Sequence, residues 1–214
     1  KVTVDSETKG EGYFTRVVTL TYGPNPENEH TLVVTLTVPD GNGPFPVVLV
    51  CHENRGLTEH IQDVARRFGK SGYVGVAVDL LSREGGTAKA EDAAIPGMLT
   101  AVSIDRHVTD FQAALAWAKT QPYANKDRIG MTGYCFGGGV TWLTASKTPE
   151  LKAAVPFYGP APADPKVLAN VKANVWAVYA GLDERVKASI PAVEEALKEG
   201  KVNYQVKKYD GAQH

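Results

Sequence analysis

Two cysteines in 214 residues, no apolar run near the roughly 18 residues that cross a bilayer, and almost no excess charge are the first features of this chain. Each scarcity excludes something. Two thiols cannot supply the disulfide framework of a small secreted scaffold, and free thiols suit a reducing compartment, so a cytoplasmic location is expected. With 23 basic and 24 acidic residues spread along the chain, the net charge of −1 leaves no basic footprint for nucleic acid or for an anionic membrane. The expected partner is a small molecule, with the protein a monomer or small homo-oligomer. Repeats and low-complexity tracts are lacking, and 43% hydrophobic with 22% charged residues fits one globular domain with a sizeable core. Lys1 opens the chain in place of Met, so a preceding tag or signal peptide is expected to have been removed or omitted.

What is present is an alternation of short apolar segments. Tyr13 to Leu20 and Thr31 to Val38, separated by the turn signal Gly23-Pro24-Asn25-Pro26, read as an antiparallel pair. From Val47 the pattern becomes strand-length runs separated by helix-length segments: 47–51, 74–78, 128–132, 153–157, 175–180 and 204–209. This predicts an α/β fold with a mostly parallel central sheet, an antiparallel N-terminal strand pair and helices on both faces. Ile61, Val64, Ala65 and Phe68 form one helical stripe behind a capping Thr58. Ile104, Val108, Phe111, Leu115 and Ala118 form a second, and Val186, Ile190, Val193 and Leu197 a third. The small, polar stretch from Leu80 to Pro96 reads as a loop or short helix over the carboxyl edge of the sheet.

Gly133-Tyr134-Cys135-Phe136-Gly137 carries the chemistry. A Gly-x-nucleophile-x-Gly pentapeptide between a strand and a helix is a nucleophile elbow, in which small residues must flank a strained central one. Here the centre is a thiol. As a free cysteine it would more often be a buried core residue; its flanking strand and helix favour the nucleophile. The positive end of the helix dipole is expected to favour thiolate relative to a free thiol of about 8.5. Cys51, at the end of an apolar strand, reads as core.

A cysteine nucleophile needs a base, and the base needs an orienting group. The chain order of the hydrolase triad predicts an acid after a late strand and a histidine after the last. Asp183, in Gly181-Leu182-Asp183, fits the first position, with a plain helix cap as its alternative role. His214 fits the second, and Asp210 reads as a turn residue. His30 borders an early strand, His60 lies in a helix, His107 reads as a solvated or satisfied helix residue, and His52 lies near the site. The loop His52-Glu53-Asn54-Arg55-Gly56-Leu57 stands where a hydrolase keeps one oxyanion donor, so the amides of Asn54 and Phe136 are the candidate pair. Gly56 occupies the place of the second histidine in a zincin motif, and Gly139-Val140 the place of the phosphate-loop Lys-Ser/Thr. Neither a zinc site nor a nucleotide is implied.

These residues resemble the dienelactone hydrolase (carboxymethylenebutenolidase) family of α/β-hydrolases, a likeness running from about Val33 to the end. Its marks are the Gly-Tyr-Cys-Phe-Gly-Gly-Gly elbow, the loop at 52–57, Asp-Leu-x-x-Arg at 79–83, Tyr158-Gly159, Asp183 and Gly-Ala-x-His at 211–214. The resemblance implies a Cys135-His214-Asp183 triad without metal or organic cofactor. It further implies that Glu53 modulates the resting thiol, and that Arg83 binds a substrate carboxylate by paired hydrogen bonds. An Arg83 paired with Glu84 or solvated is the alternative. Tyr134, Phe136, Trp142 and Tyr158 are candidate pocket residues. The family has a second carboxylate-binding arginine and a final helix after the histidine; the chain stops at His214, so a native C-terminal segment is expected to be missing. The activity implied is hydrolysis of a small ester or lactone. A general carboxylesterase or thioesterase on the same triad, and a ligand-binding protein on a hydrolase scaffold, are the alternatives.

Overall fold

A computed structural model describes all of residues 1–214 and shows one nine-stranded sheet in the order β1-β2-β3-β5-β4-β6-β7-β8-β9. The antiparallel part comprises β1 (Val2–Lys9), β2 (Tyr13–Tyr22) and β3 (His30–Pro39), with β3 also antiparallel to β5 (Val74–Asp79). The parallel part comprises β5, β4 (Phe45–Cys51), β6 (Ala124–Tyr134), β7 (Ala153–Phe157), β8 (Asn174–Ala180) and β9 (Tyr204–Tyr209). The expected pair is β2 with β3, in the register Val17 opposite Thr35. Strand β1 is additional: every residue in it is exposed, so it has no buried face to write an apolar alternation into its sequence.

Helices cover both faces. On one, α1 (Glu59–Lys70) sets Ile61 and Ala65 against Val50 and Ala77, with Val64 and Phe68 beside them. Thr58 is its N-cap residue, although the hydroxyl makes no capping hydrogen bond. On the other, α3 (Ile104–Ala118), α4 (Phe136–Lys147) and α6 (Ile190–Glu199) close over the main core, where Phe111, Val140, Trp142 and Leu197 are covered. Ile104, placed in the α3 stripe by its spacing, is 40% exposed. Between β5 and α3 lie two 3-10 turns, at 82–84 and 87–89, and the short α2 (Ile95–Thr100).

The third stripe needs correction. Its four residues are buried, but they belong to two helices, α5 (Glu184–Lys187) and α6. Pro191, in the first turn of α6, has no N–H to bond back to Lys187, so a continuous helix would lose that bond and gain a ring clash. The chain breaks there and keeps the same face inward.

Candidate active site

Strand β6 sits at the centre of the parallel sheet and hands the chain to α4 through one residue. Cys135 has φ 53° and ψ −117°, outside the regions open to most L-residues. Such a conformation costs of order 1–3 kcal/mol and persists only where its surroundings fix it. They do so here: Cys135 N–H donates to Phe157 O at 3.1 Å, and its carbonyl accepts from Gly138 N–H at 2.9 Å. A Cβ on Gly133 would lie 2.2 Å from Gly137 O, and one on Gly137 would lie 2.4 Å from His52 O. Both flanking positions therefore exclude any larger residue, as the elbow reading requires.

The sheet then brings three distant side chains together. His214 Nε2 lies 2.9 Å from Cys135 Sγ, and His214 Nδ1 lies 2.5 Å from Asp183 Oδ2. The loops bearing the last two are tied by backbone bonds, Gly181 N–H to Tyr209 O at 2.8 Å and Leu182 N–H to Ala212 O at 3.0 Å. Asp183 is both cap and partner: Oδ1 accepts from Val186 N–H at 3.1 Å at the start of α5, leaving Oδ2 for the imidazole. The cap and the contact with His214 use different oxygens of the one Asp183 carboxylate. Burial acts to raise its carboxyl pKa, but the Val186 amide, His214 and Arg185 outweigh it and hold the group below the usual range. Asp210 sits exposed in the turn after β9.

The resting thiol differs from the expectation of a favoured thiolate. Burial, Glu53 and Asp183 push Cys135 up, against the Phe136 amide and Arg185, which pull it down. Dipole reasoning from the helix start alone omits the burial of the thiol and the two carboxylates that the fold adds. Cys51 is fully buried, as expected, and burial raises its thiol well above the ordinary value. Neither cysteine is in a disulfide.

Glu53 does not bond the thiol. Its Oε1 accepts from Tyr158 Oη at 3.1 Å, and the Tyr158 ring stands edge-on to His214 with centroids 5.1 Å apart. Tyr134 stacks on Phe157 at 5.1 Å and is half-buried. Trp142 is 0% exposed and so belongs to the core, not to a pocket wall. Phe136, the residue after Cys135, lines a mostly apolar cavity of about 370 Å³ with Ile104, Leu143, Pro160 and Val167; Asp164 also lines it, and Cys135, Asp183 and His214 do not. The Asn54 N–H, on the loop after β4, donates to no protein acceptor.

Arg83 is placed differently from either reading of it. Its guanidinium bonds Asp110 Oδ1 at 2.6 Å and the Tyr22 hydroxyl at 2.5 Å, and Glu84 pairs instead with Arg106. The cavities it borders are shared with Tyr22, His30 and Ser82, and contain none of Cys135, Asp183 or His214. Asp110, 1% exposed inside α3, was not legible as a partner because the pairing spans 27 residues and joins two elements.

Two residues with defined tasks lacked a role from sequence. Asp79, at the end of β5, accepts from Leu81 N–H, Thr87 N–H and Thr87 Oγ1, and Thr87 Oγ1 in turn accepts from Leu57 N–H at 2.9 Å. It thereby couples the 80–90 segment to the loop after β4. His52 is the other, a fully buried ring beneath that loop. No three His, Cys, Asp or Glu side chains converge as a metal-ligand set, and no helix is long and apolar enough to cross a membrane.

The family model "Dienelactone hydrolase family" matches residues 32–214. This chain belongs to the dienelactone hydrolase family. A provisionally assigned carboxymethylenebutenolidase of Methylorubrum extorquens is 36% identical over 173 residues, covering 75% of this chain and 60% of that protein. Another, from Escherichia coli K12, is 31% identical over 185 residues, covering 81% and 68%. The chain thus spans about 60–68% of the length of these family members. The crystal structure of a provisionally assigned dienelactone hydrolase from Klebsiella pneumoniae superposes with a TM-score of 0.76 at 26% identity, over 90% of this chain and 85% of that one. The mixed sheet with antiparallel N-terminal strands and helices on both faces is therefore the α/β-hydrolase fold of this family.

Proposed function

We propose that the protein hydrolyses a small ester or lactone through a thioester acyl-enzyme on Cys135. The observation that carries this reading is the continuous contact from thiol to imidazole to carboxylate, 2.9 Å and then 2.5 Å. His214, held in one tautomer by Asp183, takes the thiol proton as sulfur attacks the carbonyl carbon. The Asn54 and Phe136 amides receive the developing oxyanion. Collapse of the tetrahedral adduct breaks the C–O bond, and the alkoxide leaves with the proton from His214. Water, deprotonated by the same imidazole, then attacks the thioester and releases acid and free thiol. Burial, with Glu53 and Asp183, favours the neutral thiol, so in this reading proton transfer to His214 accompanies attack.

The choice of substrate follows from charge. Arg83 is already committed to Asp110, and the cavity beside Phe136 is mostly apolar and carries one carboxylate, Asp164, which would repel an anionic substrate. Both observations favour a neutral ester with an apolar substituent over dienelactone, whose carboxylate needs a free cation. The test is steady-state hydrolysis of p-nitrophenyl acetate and butyrate and of a dienelactone, by the parent protein and Cys135→Ala. Turnover lost in the variant, with the neutral esters the better substrates, is expected. Equal inactivity of parent and variant on all three would overturn the reading in favour of a ligand-binding role.

A further inference from the structure

His52 is buried, lies outside the proposed triad, and makes two hydrogen bonds in opposite directions. Its Nε2 faces Leu80 N–H at 3.2 Å, and its Nδ1 faces Glu53 O at 2.7 Å. An amide can only donate and a carbonyl can only accept, so one tautomer satisfies both: Nε2 is bare and Nδ1 carries the proton. Burial, the largest influence, lowers the pKa of this ring, against the Glu53 carbonyl and Asp79, which act to raise it, so the neutral form that this bonding needs is favoured.

The carbonyl that His52 grips belongs to the peptide unit joining Glu53 to Asn54. That unit is planar, and in its trans form the C=O and N–H point in opposite directions. Fixing the oxygen therefore fixes the direction of the Asn54 N–H, which has no protein acceptor of its own. The other end of the grip is firm, because Leu80 directly follows β5 and is fully buried. The same loop is also pressed against the start of α4, where Gly137 leaves no room for a Cβ beside His52 O. We infer that His52 is a positioning residue for the oxyanion hole: a neutral imidazole strut from Leu80 to the Glu53 carbonyl that aims the Asn54 amide at the substrate oxygen.

This inference rests on the acyl-enzyme reading, and the test separates the two. Asparagine places an N–H donor near the site of Nδ1, glutamine keeps an acceptor for Leu80, and leucine keeps neither. The order of kcat on p-nitrophenyl acetate is therefore parent, His52→Asn, His52→Gln, His52→Leu. The last two should fall by about 10- to 10³-fold, the upper end being the loss of a whole oxyanion donor. KM should stay within about twofold, and the rate of Cys135 alkylation by iodoacetamide should be unchanged, since alkylation forms no oxyanion. Affinity for a trifluoromethyl ketone, which mimics the tetrahedral adduct, should fall in parallel with kcat. A folded His52→Gln with parental kcat, or one losing kcat and alkylation together, would overturn the positioning role. Should leucine fail to fold, the glutamine and asparagine variants still decide. If Cys135→Ala keeps full activity, the acyl-enzyme reading itself fails, whatever His52 does.

Discussion

Glu53 accepts a hydrogen bond from Tyr158, 105 residues further along the chain, and by doing so leaves Cys135 to His214. The carboxylate nonetheless remains close enough to the sulfur to raise the thiol pKa, adding to the larger effect of burial. Removing its charge while keeping its hydrogen-bonding shape should therefore ease ionisation. In Glu53→Gln the pH profile of iodoacetamide alkylation is expected to shift to lower pH, with faster modification near pH 8 than in the parent. An unshifted profile would mean that Glu53 has no electrostatic hold on the thiol.

Asp183 performs two tasks that substitution can separate. Asparagine is an equally good N-cap, so Asp183→Asn should keep the Val186 bond while losing the charge that orients and stabilises His214. Ester turnover is expected to drop by about 10²–10⁴-fold, the scale seen when a triad carboxylate is neutralised. Asp183→Ala should lose a further ~1 kcal/mol of stability in denaturant titration because the cap goes too. Equal stability of the two variants would argue against the cap.

The same residue sets an acid limit. Its folded pKa is depressed, so its contribution to stability is present above the unfolded value of about 3.9 and is lost as pH falls through the lower folded value. The stability gap between the parent and Asp183→Asn should close as pH falls from about 4 through the depressed folded value. Urea titrations at stepped pH measure this, and a gap undiminished at about pH 2 would contradict the assigned direction.

Arg83 and Asp110 form the most buried ion pair, their side chains 18% and 1% exposed. Breaking a buried pair from one side strands the other charge, at about 3–5 kcal/mol. Arg83→Met should therefore unfold at markedly lower denaturant concentration, yet leave KM for p-nitrophenyl acetate within about twofold. A large rise in KM with little change in stability would restore the substrate-binding role that the family resemblance gave this arginine.

Much of this site is legible in the sequence because it is local. The elbow is five consecutive residues, and the two loops bearing Asp183 and His214 each follow a strand-length segment, apolar before Asp183 and alternating before His214, so strand order carries them to one edge of the sheet. Arg83, Trp142 and His52 were not readable in the same way. Which way Arg83 points depends on Asp110 and Tyr22, from two other elements, and Trp142 is an aromatic close to the nucleophile in sequence but turned inward by α4. The task of His52 depends on a single amide at the end of another strand. Helix breaks follow the same logic: Pro191 is visible in the sequence, but a sustained buried stripe on either side of it masked the interruption.

Close backbone approach near the elbow makes a final prediction about glycine. A Cβ on Gly159 would meet the Gly138 carbonyl carbon at 2.2 Å, so the turn after β7 touches α4 backbone to backbone with no flexible side chain to yield. Gly159→Ala should cost at least about 1–3 kcal/mol, the range for overpacking, and should shift Tyr158 and with it the hydrogen bond to Glu53. Gly97, inside α2, is the control, because nothing lies within 4 Å of its added Cβ. Gly97→Ala should be stabilising by roughly 0.5–1 kcal/mol through helix propensity and leave ester turnover unchanged. Thermal denaturation and kcat for the two variants give the comparison, and a Gly159→Ala protein as stable and active as Gly97→Ala would mean that the elbow tolerates a displacement its packing leaves no space for.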